Sequence, residues 1–170
     1  MNMDSQDVLD VLAVLAEAGV GDVWLDGGWG VDALLGAQYR DHADADMVVR
    51  VEQLELILET LAEVGFGVTT DVRPTRLELM DRAGRVIDLH PVRFDESGDG
   101  WQSGAAPEGG DALYPAEGFT YGWIAGQRVP CIGPELQIEH HLGYEPTDQD
   151  RADVLRIHDR FTIPLPDAYR

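Results

Sequence analysis

The chain has 170 residues, 44% hydrophobic and 26% charged, which suits one folded domain and excludes wholesale disorder. Twelve basic residues against 32 acidic ones leave a formal charge of −20, which argues against nucleic acid and anionic membranes as partners and favours cationic ligands and metal ions. One cysteine, Cys131, excludes an intrachain disulfide and a thiolate metal cluster, and no apolar run reaches the ~20 residues that cross a bilayer.

The chain starts Met-Asn-Met-Asp-Ser, acidic and without the basic start of a secretory signal, so a cytoplasmic location is expected. Ser5 is placed to cap a first helix, whose stripe is Val8, Leu9, Leu12, Leu15 and Ala16. Gly19 and Gly21 end it. Val23–Leu25 reads as a short strand leading into Gly27-Gly28, and residues 29–35 as a short helix. Residues 44–49 read as a strand, with Asp44, Asp46 and Val48 on one face and Ala45, Met47 and Val49 on the core face. A long helix is expected from about Glu52 to Val64. Strands follow near Arg76–Met80 and at Val86–His90, joined by a hairpin at Ala83-Gly84. Asp88 falls on the face opposite Ile87 and Leu89, and Pro91 marks an edge or a strand end.

Residues 95–118 are rich in glycine and lack a helical pattern, so a long loop is expected there, either a surface insert or a lid. A hairpin turning at Gly126 follows. Pro134 opens a helix that ends near Gly143. Thr147 with Asp150 forms a loose capping box for a last helix over about Asp148–Arg160, and the tail after about 161 is expected to be irregular. The order of elements gives an α+β class: a single domain over 1–170, with a small mixed sheet flanked by helices.

The chemistry concentrates in two stretches, Leu25 to Asp32 and Arg40 to Asp46. Two glycines after a strand let backbone come close to a ligand, and their N–H groups can hold phosphate oxygens. Asp44 and Asp46 project from the same face of one strand and repel each other unless a cation or proton intervenes. Magnesium, which takes oxygen ligands and completes its shell with substrate phosphates, is the natural partner. Asp88, mid-strand, can share metal or accept a proton from an attacking hydroxyl.

Gly27-Gly28, Asp44-x-Asp46 and the later strand Asp88 resemble the nucleotidyltransferase fold of the polymerase-beta superfamily. Trp24 to Asp32, Arg40-x-His42-x-Asp44-x-Asp46 and Ile87-Asp88-Leu89-His90-Pro91 narrow this resemblance to the small antibiotic nucleotidyltransferases, in particular the lincosamide type. Pro107 to Gly110, Pro130-Cys131-Ile132 and His141-x-Gly143-Tyr144 extend it. The aminoglycoside 2''-nucleotidyltransferases share the Gly-Gly-Trp and Asp-x-Asp parts but resemble the middle less well. The resemblance implies that Gly27 and Gly28 position a nucleoside triphosphate (ATP), that Asp44 and Asp46 bind magnesium, and that Asp88 is general base or metal ligand. A hydroxyl of a small cationic antibiotic would then attack the α-phosphorus and release pyrophosphate.

Other residues keep two readings. Arg40 either neutralises phosphate or pairs with a nearby aspartate. His42 either touches phosphate or orients Asp44. His90 shares the face of Asp88 and either meets the acceptor or packs. Glu78 can meet an acceptor amine, and Tyr121, Trp123 and Tyr144 either line an acceptor pocket or belong to the core. Asp32 supports the glycine turn. A non-catalytic binding protein of this fold would lack at least one of the three carboxylates. The short chain leaves room for a homodimer that completes an open cleft.

Overall fold

The computed structural model describes residues 2–170. Helix α1 (Ser5–Glu17) starts one residue earlier than the sequence predicts, because Asp4 rather than Ser5 is the cap: its side chain accepts the Asp7 N–H, and Asp7 returns the bond. Strand β1 (Trp24–Leu25) leads into α2 (Gly27–Leu35), which Gly36 closes in the left-handed region. Then come β2 (Asp44–Arg50), α3 (Leu54–Glu63), β3 (Gly67–Val72), β4 (Arg76–Met80) and β5 (Val86–Phe94). The second half holds β6 (Gly100–Gln102), β7 (Ala112–Tyr114), β8 (Phe119–Ile124), β9 (Gln127–Ile132), α4 (Pro134–His140) and α5 (Asp148–Phe161).

The sheet is mixed, in the order β3-β4-β5-β2-β1-β9-β8, with β6 and β7 continuing off β5. The β2–β5 pair is parallel, as is the single β1–β9 contact; the other pairs are antiparallel. The expected mixed sheet with flanking helices is present, but at nine strands it is not small.

Three differences have physical causes. Residues 95–118 are not a plain loop: β6 and β7 pair there, and Tyr114 is buried. Strands of three residues leave no period to read. Strand β5 runs on through Pro91 to Phe94. On one side β5 pairs with β4 only up to Leu89 and with β6 only from Arg93, so Pro91 sits in the gap between neighbours, where a missing N–H is tolerated. The tail after 161 is anchored: Tyr169 is buried and its hydroxyl donates to the His141 carbonyl at 2.6 Å.

Three clusters hold the fold. Helices α1, α2 and α3 cover one face of the sheet, over Ala45, Met47, Val49, Ile87 and Leu89. On the other face Trp24, Val48 and Val92 lie under Tyr114, Ile132 and Leu136. A third cluster joins α2 to α4, α5 and Tyr169. Cys131 is buried, and burial pushes its thiol up to about 12, so it is a small packed hydrophobe. Among the described residues no helix is long and apolar enough to cross a membrane.

Candidate active site

Asp26 ends β1 and caps α2. Its Oδ1 accepts the Gly27 N–H at 2.6 Å, and its Oδ2 meets His140 Nδ1 of α4 at 2.9 Å. Burial works against the charge of Asp26, but His140 and the Gly27 N–H outweigh it and hold the carboxyl down at about 2. On His140 burial again opposes charge, and Asp26 again prevails, so its pKa is raised.

The two glycines are steric requirements. Gly27 has φ +55°, and a Cβ there would fall on the carboxylate of Asp46. A Cβ on Gly28 would fall on the ring of His42 and 2.8 Å from the Arg40 guanidinium. Both glycines border the cleft, Gly28 beside Arg40 and His42, and the Gly27 N–H already donates to Asp26.

Arg40 takes its pairing alternative. Its Nη2 donates to Asp153 of α5 at 2.9 Å while the side chain still borders the cleft. His42 does not orient Asp44. Its Nε2 meets Asp32 Oδ2 at 2.5 Å and its ring packs 4.7 Å from that of Trp29, which ties it to α2. Asp32 is accordingly a buried support, which also accepts the Tyr39 N–H.

The carboxylates lie as the period-2 pattern predicts. The parallel register places Asp46 beside Asp88, with Asp44 two residues back on the same face. Ligand atoms of Asp46, Asp88 and His90 lie within 4.8 Å of one another. Burial and then the charges of Asp46 and Asp88 raise the pKa of Asp44. Burial also raises that of Asp88, although His90 and Arg76 pull the other way. Asp88 is 8% exposed and pairs with Arg76 at 2.9 Å, and Arg76 borders the cleft. Burial disfavours charge on His90, but its contact with Asp46 and the charges of Asp26 and Asp88 prevail, and its pKa is raised. Crowded carboxylates on a half-buried face fit a hard divalent cation, and the upward shift of Asp44 marks negative charge that such an ion would relieve.

The cleft over these groups has a volume of about 1240 Å³. One wall is built largely by the 95–118 segment, which the sequence left as a surface insert or a lid. Tyr114 and Gln102, from the supposed loop, connect to His90. The β6–β7 connection brings Ala105, Pro107 and Glu108 to the rim, and Pro107 lies against Gly143, whose added Cβ would meet it at 3.0 Å. Tyr144 lines the cleft and donates to Asp150 at 3.2 Å.

Three residues offered for the acceptor are not among those that line the cleft. Glu78 sits opposite Asp88 on β4 but does not border the cleft; it accepts the Thr69 hydroxyl at 2.9 Å and lies 3.7 Å from Arg76. Tyr121 lies on β8 at the far edge of the sheet, with the Arg128 guanidinium 3.8 Å over its ring. Trp123 is exposed on the same strand. Asp26 lay within the recognised motif but was given no role. Arg76, Gln102, Tyr114 and His140 carried no local signal, because only the fold brings them to the acids.

A family model described as aminoglycoside-2''-adenylyltransferase matches residues 7–157. A lincosamide resistance protein of Staphylococcus haemolyticus is 34% identical over 134 residues, covering 79% of this chain and 82% of that one. A 2''-aminoglycoside nucleotidyltransferase of Escherichia coli is 28% identical over 152 residues, covering 84% and 76%. Among solved structures, the lincomycin-bound lincosamide antibiotic adenylyltransferase LnuA superposes with a TM-score of 0.81 at 30% identity, over 92% of this chain and 98% of that one. ANT(2'')-Ia in complex with adenylyl-2''-tobramycin superposes at 0.72 with 18% identity, over 92% and 88%, a likeness of fold. With its three carboxylates on one sheet face beside the glycine turn, the chain belongs to the aminoglycoside-2''-adenylyltransferase family and is a nucleotidyltransferase.

Proposed function

We propose that the protein transfers a nucleoside monophosphate from ATP to a hydroxyl of a small cationic antibiotic, a lincosamide, and releases pyrophosphate. The observation that carries this reading is the register of Asp46 with Asp88, with Asp44 on the same face, against the Gly27–Gly28 turn. Gly28, Arg40 and His42 border the cleft where the triphosphate would lie. Asp153 holds Arg40 in that position.

Asp44 and Asp46, with Asp88 beside them, would hold magnesium, which when bound neutralises phosphate charge and the charge developing on the leaving group. Asp88 accepts the proton of the attacking hydroxyl, and its raised pKa suits that task. The hydroxyl oxygen bonds to the α-phosphorus as the bond from that phosphorus to the bridging oxygen breaks; pyrophosphate leaves with the electron pair. Arg76 orients Asp88 through its ion pair. Positioning and charge neutralisation supply most of the rate.

The carboxylates of the cleft suit a cationic acceptor, and the relatives favour a lincosamide over an aminoglycoside. Asp26 is committed to His140, Asp111 to Arg93 at 3.8 Å and Asp150 to Thr147. Asp41, Glu108 and Glu139, at the cleft, have no ion-pair partner among the described residues. The 34% identity to a lincosamide resistance protein supports the same choice, while the family's own description keeps aminoglycosides as the second reading.

The test is mass spectrometry of products after incubation with magnesium, each nucleoside triphosphate and a panel of lincosamides and aminoglycosides. A lincosamide gaining one adenylate, dependent on magnesium and Asp88, is expected. An adenylated aminoglycoside alone would reverse the choice of acceptor, and no adduct on any drug would overturn the antibiotic reading.

A further inference from the structure

The wall of the cleft contains a hydrogen-bond chain whose direction can be read. Gln102, buried on β6, places one end of its amide 2.7 Å from the Tyr114 hydroxyl. The other end lies 2.8 Å from the Thr75 carbonyl and 3.2 Å from His90 Nδ1. A backbone carbonyl only accepts, so the end facing Thr75 is the NH₂ group. Its two hydrogens serve Thr75 and His90, and the Tyr114 hydroxyl donates to Gln102 Oε1. His90 Nδ1 is therefore the acceptor, and the neutral ring carries its hydrogen on Nε2, which faces Asp46 Oδ1 at 3.1 Å.

We propose that Gln102 is a positioning residue that holds His90 as the Nε2–H tautomer, so that His90 donates to Asp46 and offers no nitrogen to a metal. His90 then leaves the group of candidate ligands around Asp46 and Asp88, although its position alone would include it. Its role is to orient a carboxylate, as partners behind metal ligands commonly do. With Oδ1 of Asp46 held by His90, Oδ2 points at the glycine turn, where a Cβ on Gly27 would collide with it. The chain Tyr114–Gln102–His90–Asp46 thus carries orientation from the β6–β7 hairpin to the acids on β2. Its effect on turnover rests on the nucleotidyl-transfer reading; the tautomer does not.

The experiment is nitrogen-15 correlation spectroscopy of the histidine rings in the full chain, without nucleotide or drug, in alkaline solution where the rings are neutral. His90→Gln identifies the His90 signals by their loss. A protonated Nε2 with an unprotonated Nδ1 is expected, and Gln102→Met, which keeps the side-chain length without an amide, should shift the ring to a mixture of tautomers. An Nδ1–H ring in the native protein, or a Gln102→Met spectrum identical to native in a folded protein, overturns the proposal. Manganese binding followed by electron paramagnetic resonance is the second arm. His90→Gln, which keeps a donor for Asp46, should hold affinity within about threefold while His90→Ala, which removes the donor, loses about tenfold or more; an equal loss in both variants would mean direct ligation and overturn the proposal. Absence of drug modification by the native enzyme would remove the nucleotidyl-transfer reading and leave both results standing.

Discussion

Strands β2 and β5 share one register and present opposite chemistry on their two faces. Toward the helices, Ala45, Met47, Val49, Ile87 and Leu89 are fully buried. Toward the cleft, the intervening positions are Asp44, Asp46, Asp88 and His90. The apolar face supplies the rigidity that the acidic face lacks, where burial and then the repulsion of neighbouring carboxylates raise the pKa of Asp44. The parallel pairing explains why two distant pieces of sequence meet: one matched pair, Asp46 with Asp88, aligns everything else. The active face also becomes apolar within one strand length, because Val48 and Val92 pass under Tyr114 into the second core.

Substitutions should separate these faces. Asp46→Asn changes only the acidic one, and it is expected to lower turnover by about 10³-fold or more, the scale of removing a major electrostatic group from a phosphoryl-type transfer. Circular dichroism should report an unchanged fold. Retained turnover would end the metal-holding role of Asp46. Leu89→Ala strikes the other face of β5 and should cost about 2–5 kcal/mol of stability in a denaturant titration. The folded fraction should keep near-native kcat at low temperature, and a loss of kcat larger than the loss of folded protein would mean that the two faces are not separable.

The Asp26–His140 pair tests the edge where the faces meet at the glycine turn. The Asp26 carboxyl is held at about 2 against an ordinary 3.8, so its stabilising contribution is complete above the ordinary value and is lost as pH falls through about 2. His140 is raised above 6.5, so its contribution is complete below 6.5 and is lost as pH rises through the raised value. Both describe one interaction, and stability should fall on each side of a plateau. His140→Ala should leave Asp26 buried without its charged partner, cost about 3 kcal/mol on the plateau, and flatten the alkaline limb. Thermal unfolding across pH measures this directly, and an unchanged alkaline limb would assign it to another histidine.

The contrast in what the sequence disclosed follows the same geography. The stretch from Trp24 to Asp46 is legible because its signals are local: a strand, a glycine turn, and acids on alternate positions. Asp88 was legible for the same reason. Arg76, Gln102 and His140 reach the cleft only through pairing and packing, and nothing in their neighbourhoods announces it. Strand β3 was missed because it is an edge strand exposed along nearly its whole length, without the apolar alternation that marks a half-buried strand. Pro91 misled because an edge position in this sheet can exist for three residues, between the end of one neighbour and the start of the next.

Tyr121 sharpens the comparison from outside both faces. Its sequence position among aromatics suggested an acceptor pocket, yet strand alternation on β8 turns it outward at the far edge of the sheet. It is 46% exposed and its ring is covered by Arg128, a contact worth about 0.5–1 kcal/mol at an exposed site. Tyr121→Ala should therefore cost no more than about 1 kcal/mol and leave acceptor KM unchanged, whereas Tyr144→Ala, at the cleft, should raise it. Steady-state kinetics on the two variants decides between them. An acceptor KM that rises for Tyr121→Ala and not for Tyr144→Ala would place the acceptor on the β8 edge, away from the carboxylates. That outcome would require the reacting hydroxyl to reach Asp88 from the wrong side of the sheet edge, because β9, β1 and β2 lie between β8 and β5.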